Sequence, residues 1–96
     1  MLNAKQRATL IASAHNLPDI VFVGKEGLTD SVVEQIKVNL YAHELIKIKV
    51  QKGSEMRARD LAQDIAVETK SEIVKVVGNK IIVYKFSDKP KIKHYL

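Results

Sequence analysis

Residues 24–27 read Gly-Lys-Glu-Gly, set between the apolar run Ile20–Val23 and a helix-start signal at Thr29–Ser31. Backbone N–H groups at a helix start lack intrahelical partners and carry partial positive charge. Glycines let a turn take positive φ, or let another backbone come close. Lys25 adds a charge-assisted donor. The chemistry on offer is capture of a phosphodiester backbone. The bland reading of the same residues is a tight turn with no ligand. Glu26 and Asp30 weigh towards it, because one would repel a phosphate and the other can occupy the helix start itself.

Other chemistries fit less well. The glycine spacing is too short for the phosphate loop GxxxxGK[ST], and it is not the dinucleotide fingerprint GxGxxG. His43-Glu44 lacks the second histidine of HExxH, and His15 and His94 have no partners near them in sequence. All three histidines read as structural or exposed, so no catalytic residues are expected and the chain does not read as an enzyme. There is no cysteine, hence no disulfide and no thiolate metal site. No metal, cofactor or small-molecule substrate is expected.

Charge points to a partner. The 96 residues hold 16 Lys and Arg against 11 Asp and Glu, a net charge of +5. A basic domain of this size suits nucleic acid or an acidic surface. GxxG is also the loop by which KH domains hold a nucleic-acid backbone. Lys47 and Lys49 alternate with Ile46, Ile48 and Val50, so both point to one side of a strand and form a basic stripe if that face is open. Arg57 and Arg59 are two apart and share no helix face. Aromatic residues make up 5% of the chain and none lies in the glycine loop. No stacking platform is expected, and recognition should lean on backbone and shape.

The elements that must hold these residues follow from periodicity. Asn3 caps a helix from Ala4, with Leu10, Ile11 and Ala14 on one face, ending at "HNLPD". Ile20–Val23 is short, apolar and uninterrupted, and reads as a strand buried on both faces. Thr29 or Ser31 caps a second helix with Leu28, Val32, Ile36 and Leu40 spaced by four, and Val33 widening the stripe. "LIKIKV" is a half-buried strand. Ser54 caps a third helix whose apolar face is Ala58, Leu61, Ala62, Ile65 and Ala66. "EIVKVVGNKIIVYKF" is a hairpin about Gly78-Asn79, with Val76 opposite Ile81, Val74 opposite Val83 and Glu72 opposite Lys85. Both hairpin faces are largely apolar, so cover on much of both sides is expected, with Tyr84 in the core. The tail "SDKPKIKHYL" has no periodicity and is expected to be mobile. The order αβαβαββ forces a parallel crossover between the first two strands and an antiparallel final hairpin.

Three segments in order carry a resemblance: "VGKEGLTDSVV", "HELIKIKV" and "VVGNKIIVYK". With "KQR" at residues 5–7 they resemble the CRM (chloroplast RNA splicing and ribosome maturation) domain family, most of all its bacterial stand-alone, YhbY-like members. The family is similar in fold to the C-terminal domain of translation initiation factor 3. The resemblance implies an α/β chain of the α+β two-layer type, with a mixed four-stranded sheet of order 1-2-4-3 and strand four antiparallel to the rest. It also implies RNA binding, with Gly24, Lys25, Glu26 and Gly27 at the RNA face and Lys5 and Arg7 of the first helix adding charge. The bacterial members are associated with precursors of the large ribosomal subunit.

The expectation is therefore one RNA-binding domain over residues 1–86 with a basic tail at 87–96. It is a monomer whose RNA contacts are Gly24, Lys25, Glu26, Gly27, Lys5, Arg7, Lys47 and Lys49, and whose partner is ribosomal RNA. The alternatives are a protein-binding adaptor on assembling ribosomes and a nonspecific binder of double-stranded nucleic acid. The opening residues hold no long apolar stretch and no run is long enough to span a membrane, so a cytoplasmic place is expected.

Overall fold

The computed structural model describes residues 2–52 and 57–96. The chain runs α1 (Ala4–Ala14), β1 (Asp19–Val23), α2 (Asp30–His43), β2 (Leu45–Val50), α3 (Ala58–Thr69), β3 (Glu72–Val77) and β4 (Lys80–Tyr84). The strands form one sheet of order β1-β2-β4-β3. β1 and β2 are parallel, and β4 runs antiparallel to both its neighbours. The element order and sheet expected from the sequence are therefore present.

Local signals explain the helix ends. Asn3 and Gln6 make a reciprocal capping box at the start of α1. Thr29, not Ser31, caps α2: its hydroxyl accepts from the Val32 N–H at 3.2 Å, while Ser31 lies inside the helix. The cap expected at Ser54 lies outside the described residues. Arg57 precedes α3 and gives no side-chain cap.

α2 and α3 cover one sheet face, where Ile36, Leu40, Leu61 and Ile65 pack on Val21, Val23, Ile46, Ile48, Ile81 and Val83. α1 adds a third, partial layer on the other face, placing Leu10 and Ala14 against Leu45, Val74, Ile82 and Tyr84. This cover is short. It buries the start of β2 and the end of β4 and leaves the rest of that face open.

Two sequence readings change as a result. β1 is not buried on both faces. It is an edge strand that α1 does not reach, so Val21 and Val23 are buried while Phe22 is 54% exposed and Ile20 is 38% exposed. The hairpin register also slips. Val76 faces Ile81 as expected, but Ile73 faces Val83 and Glu72 faces Tyr84, because a bulge lies between Ile73 and Lys75. The extra residue turns Val74 under α1. A bulge leaves a carbonyl without a ladder partner. Arg7 meets it, with one guanidinium nitrogen donating to the Ile73 and Val74 carbonyls at 2.6 and 2.7 Å. Cover on both sides of the hairpin holds only at the α1 end, since Val77 is 53% exposed.

The tail carries no helix or strand. Its donors converge on Glu44, which is fully buried at the α2–β2 junction. The Glu44 carboxylate accepts from the Ser87 and Tyr95 backbone N–H groups and pairs with the His94 ring, which stacks on Phe86. Burial, and after it the Glu44 charge, pushes the Tyr84 phenol above its ordinary pKa.

Candidate nucleic-acid interface

The glycine loop is a turn in which the two glycines have different duties. The Gly27 N–H donates to the Gly24 carbonyl at 3.0 Å, leaving Lys25 and Glu26 exposed at the tip. Gly27 has φ +76, a conformation that disfavours any residue with a Cβ. Gly24 has no such constraint. A Cβ there would lie 3.6 Å from the Gln51 amide oxygen and 3.7 Å from Phe22 Cε2, ordinary contact distances. The turn explains Gly27. Nothing among the described residues demands a glycine at 24, and a side chain there would sit beside Phe22 and Gln51. Gly27→Ala is accordingly expected to cost about 1 kcal/mol in urea unfolding. Gly24→Ala should change stability by no more than about 0.5 kcal/mol.

The helix start behind the loop is partly spent. Thr29 takes the Val32 N–H, and Asp30 places a carboxylate in the first turn. The open chemistry of the loop therefore lies at Gly24 and at the exposed Lys25, more than at the α2 N-terminus.

The loop continues into the uncovered half of the sheet. Strand register puts Phe22 beside Lys49, Lys49 beside Lys80, and Lys80 beside Val77, a row across all four strands. In the next row Asp19 neighbours Lys47, Lys47 neighbours Ile82, and Ile82 neighbours Lys75. A groove of about 240 Å³ between this surface and α1 is lined by Ile11, His15, Lys47, Lys75, Val77, Lys80 and Ile82. Lys47 donates to the His15 carbonyl at 3.3 Å, which ties β2 to the end of α1. Lys80 reaches Asp19 at 3.2 Å across β2. Lys25, Lys49 and Lys75 make no ion pair with another described residue.

The structure thus joins four of the expected site residues, Gly24, Lys25, Lys47 and Lys49, to one surface. Glu26 and Gly27 complete the turn. Lys5 is exposed on the first turn of α1. Arg7 is engaged with the β3 bulge. Sequence reasoning missed Phe22, Lys75 and Lys80. The two lysines are visible in the sequence only as interruptions of an apolar hairpin, and it takes the pairing of β4 with β2 to bring them onto the face that carries Lys47 and Lys49.

Charge is segregated about this surface. α2 and α3 carry Asp30, Glu34, Asp60, Asp64 and Glu68 against Lys37 and Arg59, so the helical side is acidic while the open sheet face is basic. Among the described residues no group of three or more His, Asp or Glu side chains is placed to hold a metal, and no helix is long and apolar enough to cross a membrane.

The family model for the CRS1 / YhbY (CRM) domain matches residues 2–85. The chain is 38% identical over 91 residues to "Probable RNA-binding protein YqeI" of Bacillus subtilis, covering 95% of each sequence. It is 35% identical over 92 residues to a protein of Haemophilus influenzae named "RNA-binding protein", covering 96% of this chain and 93% of that one. Among solved structures it is similar to SAV1595 of Staphylococcus aureus, with a TM-score of 0.81 and 35% identity over 95% of both chains.

Proposed function

The chain belongs to the CRS1/YhbY (CRM) domain family, and from that premise we propose that it is a non-enzymatic RNA-binding module acting on ribosomal RNA during assembly of the large ribosomal subunit. The observation that carries the RNA reading is the continuity of the glycine loop with the open, lysine-bearing half of the sheet. The loop brings the RNA backbone close at Gly24. Lys25, Lys47, Lys49, Lys75 and Lys80 neutralise phosphates on either side of that point. Lys5 extends the basic edge from α1, and Arg7 contributes by holding α1 to β3. Acidic α2 and α3 keep the other side of the molecule away from the polyanion, which fixes the docking direction. The ribosomal assignment rests on the family resemblance. The relatives named as RNA-binding proteins support the binding, and the charge pattern supports its orientation.

The test is RNA binding measured from low to moderate salt. With about five phosphate contacts, affinity should fall by about a hundredfold between 50 and 200 mM monovalent salt. Lys25→Ala should make that dependence shallower by about one phosphate. Affinity that stays flat across this range would sink the reading. Competition with duplex DNA addresses specificity: a general polyanion binder would show no preference for ribosomal RNA. Capture of ribosomal precursors that survives loss of both Lys25 and Lys49 would favour the protein-adaptor alternative.

A further inference from the structure

Phe22 is one of several large apolar side chains left exposed among the described residues, and its surroundings set it apart. It projects from an edge strand, more than half exposed, where a polar residue would satisfy the solvent. Its neighbours argue against a protein-docking patch. Lys49 lies beside it on β2, Lys80 beyond that on β4, and a Cβ at Gly24 of the loop would come within 3.7 Å of its ring. An apolar protein surface would have to desolvate those ammonium groups. An aromatic face flanked by cations and by a glycine-lined approach is instead complementary to a nucleobase joined to phosphates.

We propose that Phe22 is the stacking platform for one unpaired base of the RNA, with the phosphates on either side held by Lys25 and by the Lys49–Lys80 pair. This inference rests on the RNA-binding reading and specifies its substrate as a single-stranded segment. Low aromatic content had suggested recognition by backbone and shape alone. The uncovered face of β1 supplies one aromatic ring where it can act. The row from Phe22 to Val77 crosses four strands, roughly 14 Å at the usual strand spacing, which gives an extended strand a track over the lysines. An A-form duplex would keep its bases stacked on one another and leave Phe22 without a partner.

The chain contains no tryptophan, so Phe22→Trp introduces a single reporter on an exposed site that the core does not depend on. The probes are a short single-stranded oligouridine or oligoadenosine and a blunt RNA duplex, both at low salt. Indole fluorescence should be quenched by the single strands and not by the duplex. Phe22→Ala should weaken single-strand binding by about tenfold while leaving duplex binding unchanged, and Phe22→Tyr should bind as wild type. Phe22→Leu keeps apolar bulk without a π face, and it should behave like the alanine variant. If Phe22→Leu binds single strands as well as wild type, or if binding occurs without quenching, the stacking role is wrong while salt-dependent RNA binding can stand. If none of these RNAs binds even at low salt, the RNA reading fails and the inference goes with it.

Discussion

Glu44→Ala is expected to destabilise the protein by about 3 kcal/mol, the range for removing one partner from a buried, hydrogen-bonded charge. A domain of this size has a total stability on the order of 5–15 kcal/mol, so the loss should be plain in urea unfolding. The reason lies in how many groups depend on one carboxylate. Glu44 is fully buried, and its two oxygens serve the Ser87 N–H, the Tyr95 N–H and the His94 ring. Its own backbone is equally committed: its N–H donates to the Leu40 carbonyl at 2.8 Å, and its carbonyl accepts from the Lys85 N–H at 2.9 Å. It holds φ +67, which a residue with a side chain rarely adopts. Deleting residues 87–96 should also destabilise the protein, by somewhat less, because the carboxylate loses the same donors but is opened to water where the tail had covered it. The double change should cost clearly less than the sum of the two. Additive losses would show that Glu44 acts on something other than the tail. A Glu44→Ala chain as stable as wild type would show that the carboxylate anchors nothing.

These contacts also mark what a sequence can and cannot disclose. Helix caps, the four-residue stripe of α2, the alternation of β2 and the hairpin turn are local patterns, and they were legible because their causes lie within a few residues. Glu44 is 43 residues from Ser87 and 50 from His94, and nothing near either end advertises the meeting. The bulge at Val74 is invisible for a related reason. Strict alternation is the simplest register, and only the Arg7 guanidinium, 66 residues from Ile73, supplies a partner for the carbonyls exposed there. β1 shows a third limit. A short apolar run reads the same at the centre of a sheet as at its edge. Whether Phe22 is buried depends on the reach of α1, a helix whose length is set by Asn3 and Pro18. Half of the candidate surface, the loop and the two β2 lysines, was readable from spacing. The other half, Phe22, Lys75 and Lys80, exists only once the sheet order and register bring the strands side by side.

That assembled surface carries its own internal cost, and the cost yields the sharpest test of its purpose. Lys49 and Lys80 are direct neighbours on adjacent strands. Like charges so placed destabilise a sheet by a few tenths to about 1 kcal/mol relative to a neutral pair. The Asp19 carboxylate relieves Lys80 in part, through an exposed ion pair of the kind worth little on its own. A fold selected only for stability would place an acid or a neutral residue at 49. Lys49→Glu should therefore leave the protein melting no lower than wild type, since it turns a repulsion into an attraction. The same change should weaken RNA binding by about a hundredfold at low salt, because it removes one phosphate partner and sets a carboxylate in the middle of the track. Lys49→Gln should fall between the two in affinity and be slightly more stable than wild type, by a few tenths of a kcal/mol to about 1 kcal/mol. Opposite signs for stability and affinity at one residue are what a surface built for a polyanion predicts. If Lys49→Glu lowers the melting temperature and leaves RNA affinity unchanged, Lys49 serves the sheet, and the RNA must be sought on the loop and α1 alone.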